Sequence, residues 1–265
     1  MLLARIITAV IFGVALTVAL LYAPLPVGPV VLGLLWLAGA WEWAGFAKLG
    51  SAARLLYTAL FALGLALGWR WLGADAARIV LVAALAWWVV AFGLVLRFPQ
   101  TFGATFVALV GIVVLWTSFV LLVGLLAAGG FGAELAFGLL LVVWAADVGA
   151  YAFGRLFGST KLAPAVSPGK TWEGLAGGLL AAGLAAAATA AWLELPIPKL
   201  VVLGIATALV SVLGDLTQSM FKRNAGLKDS GKLLPGHGGV LDRIDSLTAA
   251  VPVFVGGLWA LGLAP

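Results

Sequence analysis

Long apolar segments alternate with short polar connections along almost the whole chain. A helix needs about 20 apolar residues to cross the hydrocarbon core of a bilayer. A transmembrane β-barrel would instead require short segments of alternating polarity. The pattern therefore predicts an all-α, polytopic integral membrane protein with about nine transmembrane helices, at residues 2–22, 27–47, 55–73, 77–96, 103–127, 133–154, 174–193, 199–219 and 246–264.

The connections between these segments differ in length, and this difference suggests two halves. Residues 1–130 carry N-terminal transmembrane helices joined by short connections. Residues 131–265 carry the C-terminal helices and two long polar connections, at 155–173 and 220–245. We expect any chemistry to reside in these two long connections.

Composition supports a membrane protein and excludes several other classes. The 265 residues are 64% hydrophobic and only 9% charged, whereas soluble domains are about one quarter charged. A soluble enzyme, a disordered chain and a nucleic-acid-binding domain are excluded, despite the net charge of +5. Cysteine is absent, which excludes disulfides and thiolate metal sites. The N-terminus resembles a signal sequence but lacks a clear cleavage site, so we predict a retained first helix.

The basic residues predict the orientation of the chain. Lys and Arg are enriched in cytoplasmic loops, and twelve of the fifteen fall on one side of the predicted spans. This places the N-terminus in the cytoplasm and the C-terminus in the periplasm. The twelve are Arg5, Lys48, Arg54, Arg97, Arg155, Lys161, Lys170, Lys222, Arg223, Lys228, Lys232 and Arg243.

Acidic residues concentrate at the same predicted surface. Six of the ten lie in or beside the two long connections. Asp147 and Asp215 fall inside otherwise apolar spans near their cytoplasmic ends, where a polar group is costly and suggests function. Glu42, between two tryptophans, has two interpretations: its side chain reaches the membrane interface, which is the simpler one, or it belongs to a site.

The second long connection combines groups suited to phosphate and metal. Asp215, Ser219 and Lys222 are spaced i, i+4 and i+7, on one face of a helix. Asp242 and Asp245 share a face at the start of the last span. A glycine-rich loop precedes them and contains His237, and glycines let backbone amides approach an anion. Carboxylates, basic side chains and amides together predict a site for Mg²⁺ and a nucleotide.

The first long connection ends in Ser-Pro-Gly-Lys-Thr-Trp-Glu at residues 167–173, directly before a span. Its amides, hydroxyls and Lys170 could hold an anion at the start of that helix. The spacing does not fit a Walker A loop. A plainer interpretation is that these carboxylates only pair with basic residues of cytoplasmic loops. That interpretation suffices for a single Lys or Arg, but it does not account for the whole constellation.

A long run in the second connection resembles a known family signature. The run is Ser219-Met-Phe-Lys-Arg, then Lys228-Asp229-Ser-Gly-x-Leu-Leu-Pro-Gly-His-Gly-Gly-Val-Leu-Asp242-Arg-Ile-Asp245. It is similar to the signature of phosphatidate cytidylyltransferases, also called CDP-diacylglycerol synthases, of the bacterial type. Residues 147–174 resemble the upstream motif of the same family. Two positions depart from it: Gln218, where many members have Glu, and Gly169, often Lys.

The resemblance implies that CTP and phosphatidate react to give CDP-diacylglycerol and pyrophosphate in phospholipid biosynthesis. It implies Mg²⁺ dependence, with a second metal ion left open, and a multi-pass homodimer in the bacterial inner membrane. The expected partners are CTP, phosphatidate and the lipid bilayer, with no nucleic acid.

By the same resemblance, the site residues fall into three groups. The expected catalytic residues are Asp215, Asp242, Asp245, Lys222 and His237. The expected metal ligands are Asp215, Asp242 and Asp147. The expected substrate-binding residues are Lys161, Ser167, Lys170, Thr171, Glu173, Ser219, Arg223, Lys228, Asp229, Gly238, Gly239 and Arg243.

Other functions account for part of the same residue pattern. A transporter for a phosphorylated solute would also use intramembrane carboxylates, although the charges here cluster at one surface. Another lipid enzyme, such as a CTP-dependent polyprenol kinase or an ether-lipid cytidylyltransferase, would differ only in its acceptor. A CDP-alcohol phosphotransferase is disfavoured because its Asp-Gly-x2-Ala-Arg run is absent.

Overall fold

A computed structural model describes residues 13–24, 26–71, 73–231, 233 and 238–264 of the chain. Within these residues the chain forms helices α1 to α9 and one short β-hairpin. The described part of α1 covers residues 13–21. The remaining elements are α2 (Val27–Phe46), α3 (Ser51–Trp71), α4 (Ala74–Leu96), α5 (Ala104–Leu126), α6 (Gly132–Phe157), β1 (Lys161–Ala163), β2 (Ser167–Thr171), α7 (Trp172–Trp192), α8 (Ile197–Ala225) and α9 (Leu241–Ala260).

The predicted all-α, polytopic architecture is confirmed. In the part of the chain that the structure describes, seven helices, α2 to α8, are long and apolar enough to cross a membrane. The first predicted span lies mostly outside the described residues. The ninth corresponds to α9, which begins five residues earlier than predicted and carries Asp242, Arg243 and Asp245 in its first two turns. Large apolar side chains are exposed along α3 and α4, as expected for surfaces facing lipid, among them Leu55, Leu56, Leu60, Ile79, Val82 and Val89.

Aromatic side chains from α2 and α5 form the centre of the bundle. Trp36 and Trp43 are fully buried. The indole N–H of Trp36 donates to Ser118 Oγ at 2.9 Å, and that of Trp43 donates to the Val107 carbonyl at 2.8 Å. These bonds satisfy indole N–H groups that would be costly to leave unpaired in an apolar interior. The core therefore holds α2 firmly against α5.

Small residues bring α6 and α7 into close contact, as the glycine and alanine content predicts. A Cβ at Gly149 would lie 2.6 Å from the Gly177 carbonyl oxygen, and one at Gly178 would lie 2.8 Å from the Ala146 carbonyl oxygen. Neither position can accept a side chain without moving backbone. This contact fixes the ends of the two helices that flank the first long connection.

Described parts of both long connections form regular secondary structure that the hydropathy pattern does not indicate. Residues 155–173 contain an antiparallel hairpin in which Lys161 pairs with Thr171, and Ala163 pairs with Ser167. In the second connection, α8 continues six residues beyond its predicted end at 219. It ends where Gly226 adopts a φ of +77°, a left-handed conformation that glycine reaches without strain. The hairpin and this helix extension carry the candidate site.

Candidate functional site

A lysine–aspartate pair joins the hairpin to α8. Lys170, on β2, places its Nζ 2.6 Å from Asp215 Oδ2. Ser219, one helical turn after Asp215, donates its hydroxyl to Asp215 Oδ1 at 3.1 Å. The prediction that Asp215 and Ser219 share a helix face is confirmed. The structure also brings the two long connections together, which the sequence alone does not require.

A second pair joins α8 to the start of α9. Lys222 Nζ lies 2.7 Å from Asp242 Oδ1, and both side chains are almost buried, with 11% and 12% of their surface exposed. The other carboxylate oxygen of Asp242 accepts hydrogen bonds from the amides of Ser230 at 2.9 Å and Gly239 at 3.1 Å. Gly238 has a φ of +80°. The Gly239 amide, which was expected to face an anion, thus faces the Asp242 carboxylate.

Two further carboxylates complete an electrostatic cluster. Asp245 is nearly buried and accepts a hydrogen bond from the Ser246 amide at 2.8 Å. It interacts electrostatically with Asp215, Lys222 and Asp147. Asp147, exposed on α6, also interacts with Lys170. We call these six residues the charged cluster: Asp147, Lys170, Asp215, Lys222, Asp242 and Asp245.

Thr171 and Glu173 hold the hairpin against the start of α7. The Thr171 hydroxyl accepts a hydrogen bond from the Gly174 amide at 3.1 Å and caps the helix. Glu173 accepts bonds from the Ser159 hydroxyl at 2.6 Å and the Thr160 amide at 3.1 Å. These contacts position Lys170 beside Asp215.

The remaining predicted residues that the structure describes lie on the two long connections and at the start of α9. Ser167 is half-buried on β2, and Lys161 is exposed on β1. Lys228, Asp229 and Arg243 are exposed, as is Arg223, which donates to the Leu227 carbonyl at 3.4 Å. His237 lies outside the described residues. The exposed basic residues add positive charge to the two long connections.

Glu42 is a site residue whose role the sequence does not reveal. The residue is 1% exposed, so its side chain is enclosed by the protein. Its carboxylate accepts hydrogen bonds from Ser230 Oγ and from the amides of Val240 and Leu241. The available signal was a single carboxylate within an apolar span, which is costly unless it has partners.

The donor chemistry of the charged cluster fits a hard cation, since carboxylate oxygens are the ligands that Mg²⁺ prefers. Within the described part of the chain, no group of three or more His, Cys, Asp and Glu side chains is arranged to hold an ion by itself. Asp215 and Asp242 each form an ion pair with a lysine. Mg²⁺ in nucleotide sites commonly uses one or two carboxylates together with substrate phosphates.

Comparison with known proteins relates the chain to one enzyme family. The profile described as "Cytidylyltransferase family" matches residues 3–260. The chain is 44% identical over 235 residues to a protein of Pseudomonas aeruginosa named phosphatidate cytidylyltransferase, with 84% of each chain covered. A protein of Haemophilus influenzae with the same name is 39% identical over 281 residues, covering 94% of this chain and 96% of that one. A Brucella suis protein with this name is 51% identical over 120 residues, 42% of each chain.

Proposed function

The chain belongs to the cytidylyltransferase family, and on that premise we propose that it converts CTP and phosphatidate into CDP-diacylglycerol and pyrophosphate. The observation that carries the proposal is the charged cluster, which combines two lysines with four carboxylates at one end of an apolar helix bundle. Relatives that cover most of the chain are named for this activity.

The cluster suits two phosphorylated substrates of different polarity. Lys170 and Lys222 can bind phosphate oxygens as point charges. In the resting arrangement their charges are compensated by Asp215 and Asp242. Arriving phosphates would compete for these lysines and free the carboxylates. The site lies at the ends of spanning helices, so the phosphate of a lipid can reach the level at which soluble CTP enters.

The proposed reaction is an in-line nucleotidyl transfer. A phosphate oxygen of phosphatidate attacks the α-phosphorus of CTP and forms a new P–O bond. The bond from the α-phosphorus to the bridging oxygen breaks, and pyrophosphate leaves with its electron pair. A phosphate monoester dianion is already a nucleophile, so no strong base is required. Catalysis then depends on positioning and on neutralising charge.

Mg²⁺, when bound, would neutralise the triphosphate and the leaving pyrophosphate. Asp215 and Asp242 are the proposed ligands, with Asp147 as a third. Ser219 orients the Asp215 carboxylate through its hydrogen bond. Asp245 interacts electrostatically with Asp215 and Lys222.

Orientation and assembly belong to the same proposal. The positive-inside rule places the charged cluster at the cytoplasmic surface, with the N-terminus inside and the C-terminus outside. The relatives named above are bacterial, which supports the inner membrane as the location. The homodimer rests on the family resemblance.

A panel of lipid acceptors tests the proposed substrate. Purified protein in detergent would receive labelled CTP and Mg²⁺ with phosphatidate, with an ether-linked analogue, or with a polyprenol. The proposal expects labelled lipid only when an acceptor carries a phosphate monoester, and the highest kcat/KM with phosphatidate. Transfer of labelled γ-phosphate to the polyprenol would instead identify a kinase.

A further inference from the structure

Glu42 joins two distant parts of the sequence. It lies on α2, yet its hydrogen-bond partners are 188 to 199 residues away along the chain. The Ser230 hydroxyl donates to Oε2 at 2.8 Å, and the Leu241 amide donates to the same atom at 2.8 Å. The Val240 amide donates to Oε1 at 3.1 Å. The carboxylate therefore bridges the two ends of the glycine-rich segment.

Asp242 also bridges these two ends. It accepts hydrogen bonds from the amides of Ser230 and Gly239. Ser230 thus donates its hydroxyl to Glu42 and its amide to Asp242. Through this shared residue, a movement of the Glu42 carboxylate would reach Asp242 and then its partner Lys222.

Two glycines pack closely against Glu42. A Cβ at Gly231 would overlap Glu42 Oε1, and a Cβ at Gly239 would overlap Glu42 Oε2 and Ser230 Oγ. Both glycines lie directly against the carboxylate. The close fit and the 1% exposure show that Gly231 and Gly239 pack around this side chain.

We propose that Glu42 is a positioning residue for the reaction: it fixes Ser230 and the start of α9 so that Asp242 faces Lys222. This inference rests on the proposed function. An ionised carboxylate suits the role because it only accepts hydrogen bonds, and its three partners here are all donors. A glutamine of the same shape would present an NH₂ group to at least one of these donors.

The test uses the full-length protein in detergent with three variants. Glu42→Gln keeps the shape of the side chain and removes its charge. Ser230→Ala removes a single partner hydroxyl. Glu194→Gln is the matched control, since Glu194 is exposed in the short connection between α7 and α8. Thermal melting and gel filtration confirm folding, and kcat/KM is measured with CTP, phosphatidate and Mg²⁺.

We expect Glu42→Gln to lower kcat/KM by about 10- to 100-fold, as the loss of a hydrogen bond to a charged group predicts. Ser230→Ala should lower it by about 10-fold, because it removes one hydrogen bond to the same charged group. Glu194→Gln should match the unaltered protein. If Glu42→Gln retains full kcat/KM, the inference is wrong. If it does not fold and Ser230→Ala is fully active, Glu42 only supports folding.

A binding cycle separates positioning from a general structural role. The affinity for CTP with Mg²⁺ is measured for Glu42→Gln, Asp242→Asn and the double variant. If Glu42 acts through Asp242, Glu42→Gln alone weakens CTP binding. In a protein that already carries Asp242→Asn, Glu42→Gln weakens CTP binding little further. Equal losses in both backgrounds would contradict the inference. Because this cycle needs no lipid, it decides the role of Glu42 even if phosphatidate proves not to be the acceptor. Absence of CTP binding in the unaltered protein would overturn both proposals.

Discussion

The ion pair between Lys222 and Asp242 should contribute substantially to both stability and activity. The two atoms Nζ and Oδ1 are 2.7 Å apart. At an effective dielectric constant of about 20, the direct attraction at this distance is about 6 kcal/mol. Desolvation of both charges opposes it, and the net coupling expected for a charge-assisted hydrogen bond is about 1.5–3 kcal/mol.

A double-mutant cycle measures this coupling. Lys222→Met, Asp242→Asn and the double variant would be unfolded in mixed detergent micelles, with the free energy of unfolding followed by circular dichroism. Each single substitution leaves a nearly buried partner without its oppositely charged neighbour. We therefore expect each to lower the free energy of unfolding by about 3 kcal/mol. The double variant should cost about 1.5–3 kcal/mol less than the sum of the single variants.

The chain offers a matched control for this cycle. Arg78 and Asp75 also form an ion pair, at 3.7 Å, but their side chains are 73% and 98% exposed. Exposed pairs contribute about 0–1 kcal/mol, so the same cycle at Asp75 and Arg78 should give a coupling near zero. If the effects of Lys222→Met and Asp242→Asn on the free energy of unfolding add within about 0.5 kcal/mol, the two residues are not coupled and the reasoning is wrong.

Three further outcomes follow from the site. Gly239→Ala should lower kcat/KM by about 10-fold or more, because the new Cβ would overlap Glu42 and cost about 1–3 kcal/mol. Gly50→Ala, where a Cβ meets open space, should have full activity, and equal activity of both variants would refute the argument. Thr171→Ala should lower the free energy of unfolding by about 1 kcal/mol through loss of the α7 cap, and an unchanged unfolding curve would contradict this. Chelation of Mg²⁺ by EDTA should stop product formation reversibly, whereas EDTA-resistant activity would exclude the proposed metal.

Most of the membrane-spanning architecture was predictable, and the errors have a common cause. The predicted segment 103–127 corresponds to α5, Ala104–Leu126, because its apolar run ends where the helix ends. The predicted segment 199–219 is too short, since α8 continues to Ala225. Hydropathy marks the hydrocarbon core, whereas a helix can continue past it where polar side chains find partners, as Lys222 does in Asp242.

The site was predictable in its residue types but not in its pairings. Spacing alone placed Ser219 beside Asp215, because a helix fixes neighbours at i and i+4. Spacing could not pair Lys170 with Asp215, since that contact depends on a hairpin of three- and five-residue strands. In such short strands too few apolar and polar residues alternate for the sequence to predict them. For Glu42 the sequence left two interpretations open for a related reason: its partners lie about 190 residues away.

The proposed activity is tested most directly by product formation from labelled CTP. Purified protein would be incubated with CTP, phosphatidate and Mg²⁺, and both lipid-soluble cytidine and released pyrophosphate would be measured. The account predicts equal amounts of the two products, dependent on phosphatidate, and their loss in a folded Asp215→Asn variant. Failure of the folded, CTP-binding protein to form a cytidine lipid would contradict the proposed function. Undiminished turnover in Asp215→Asn would contradict the assignment of the site.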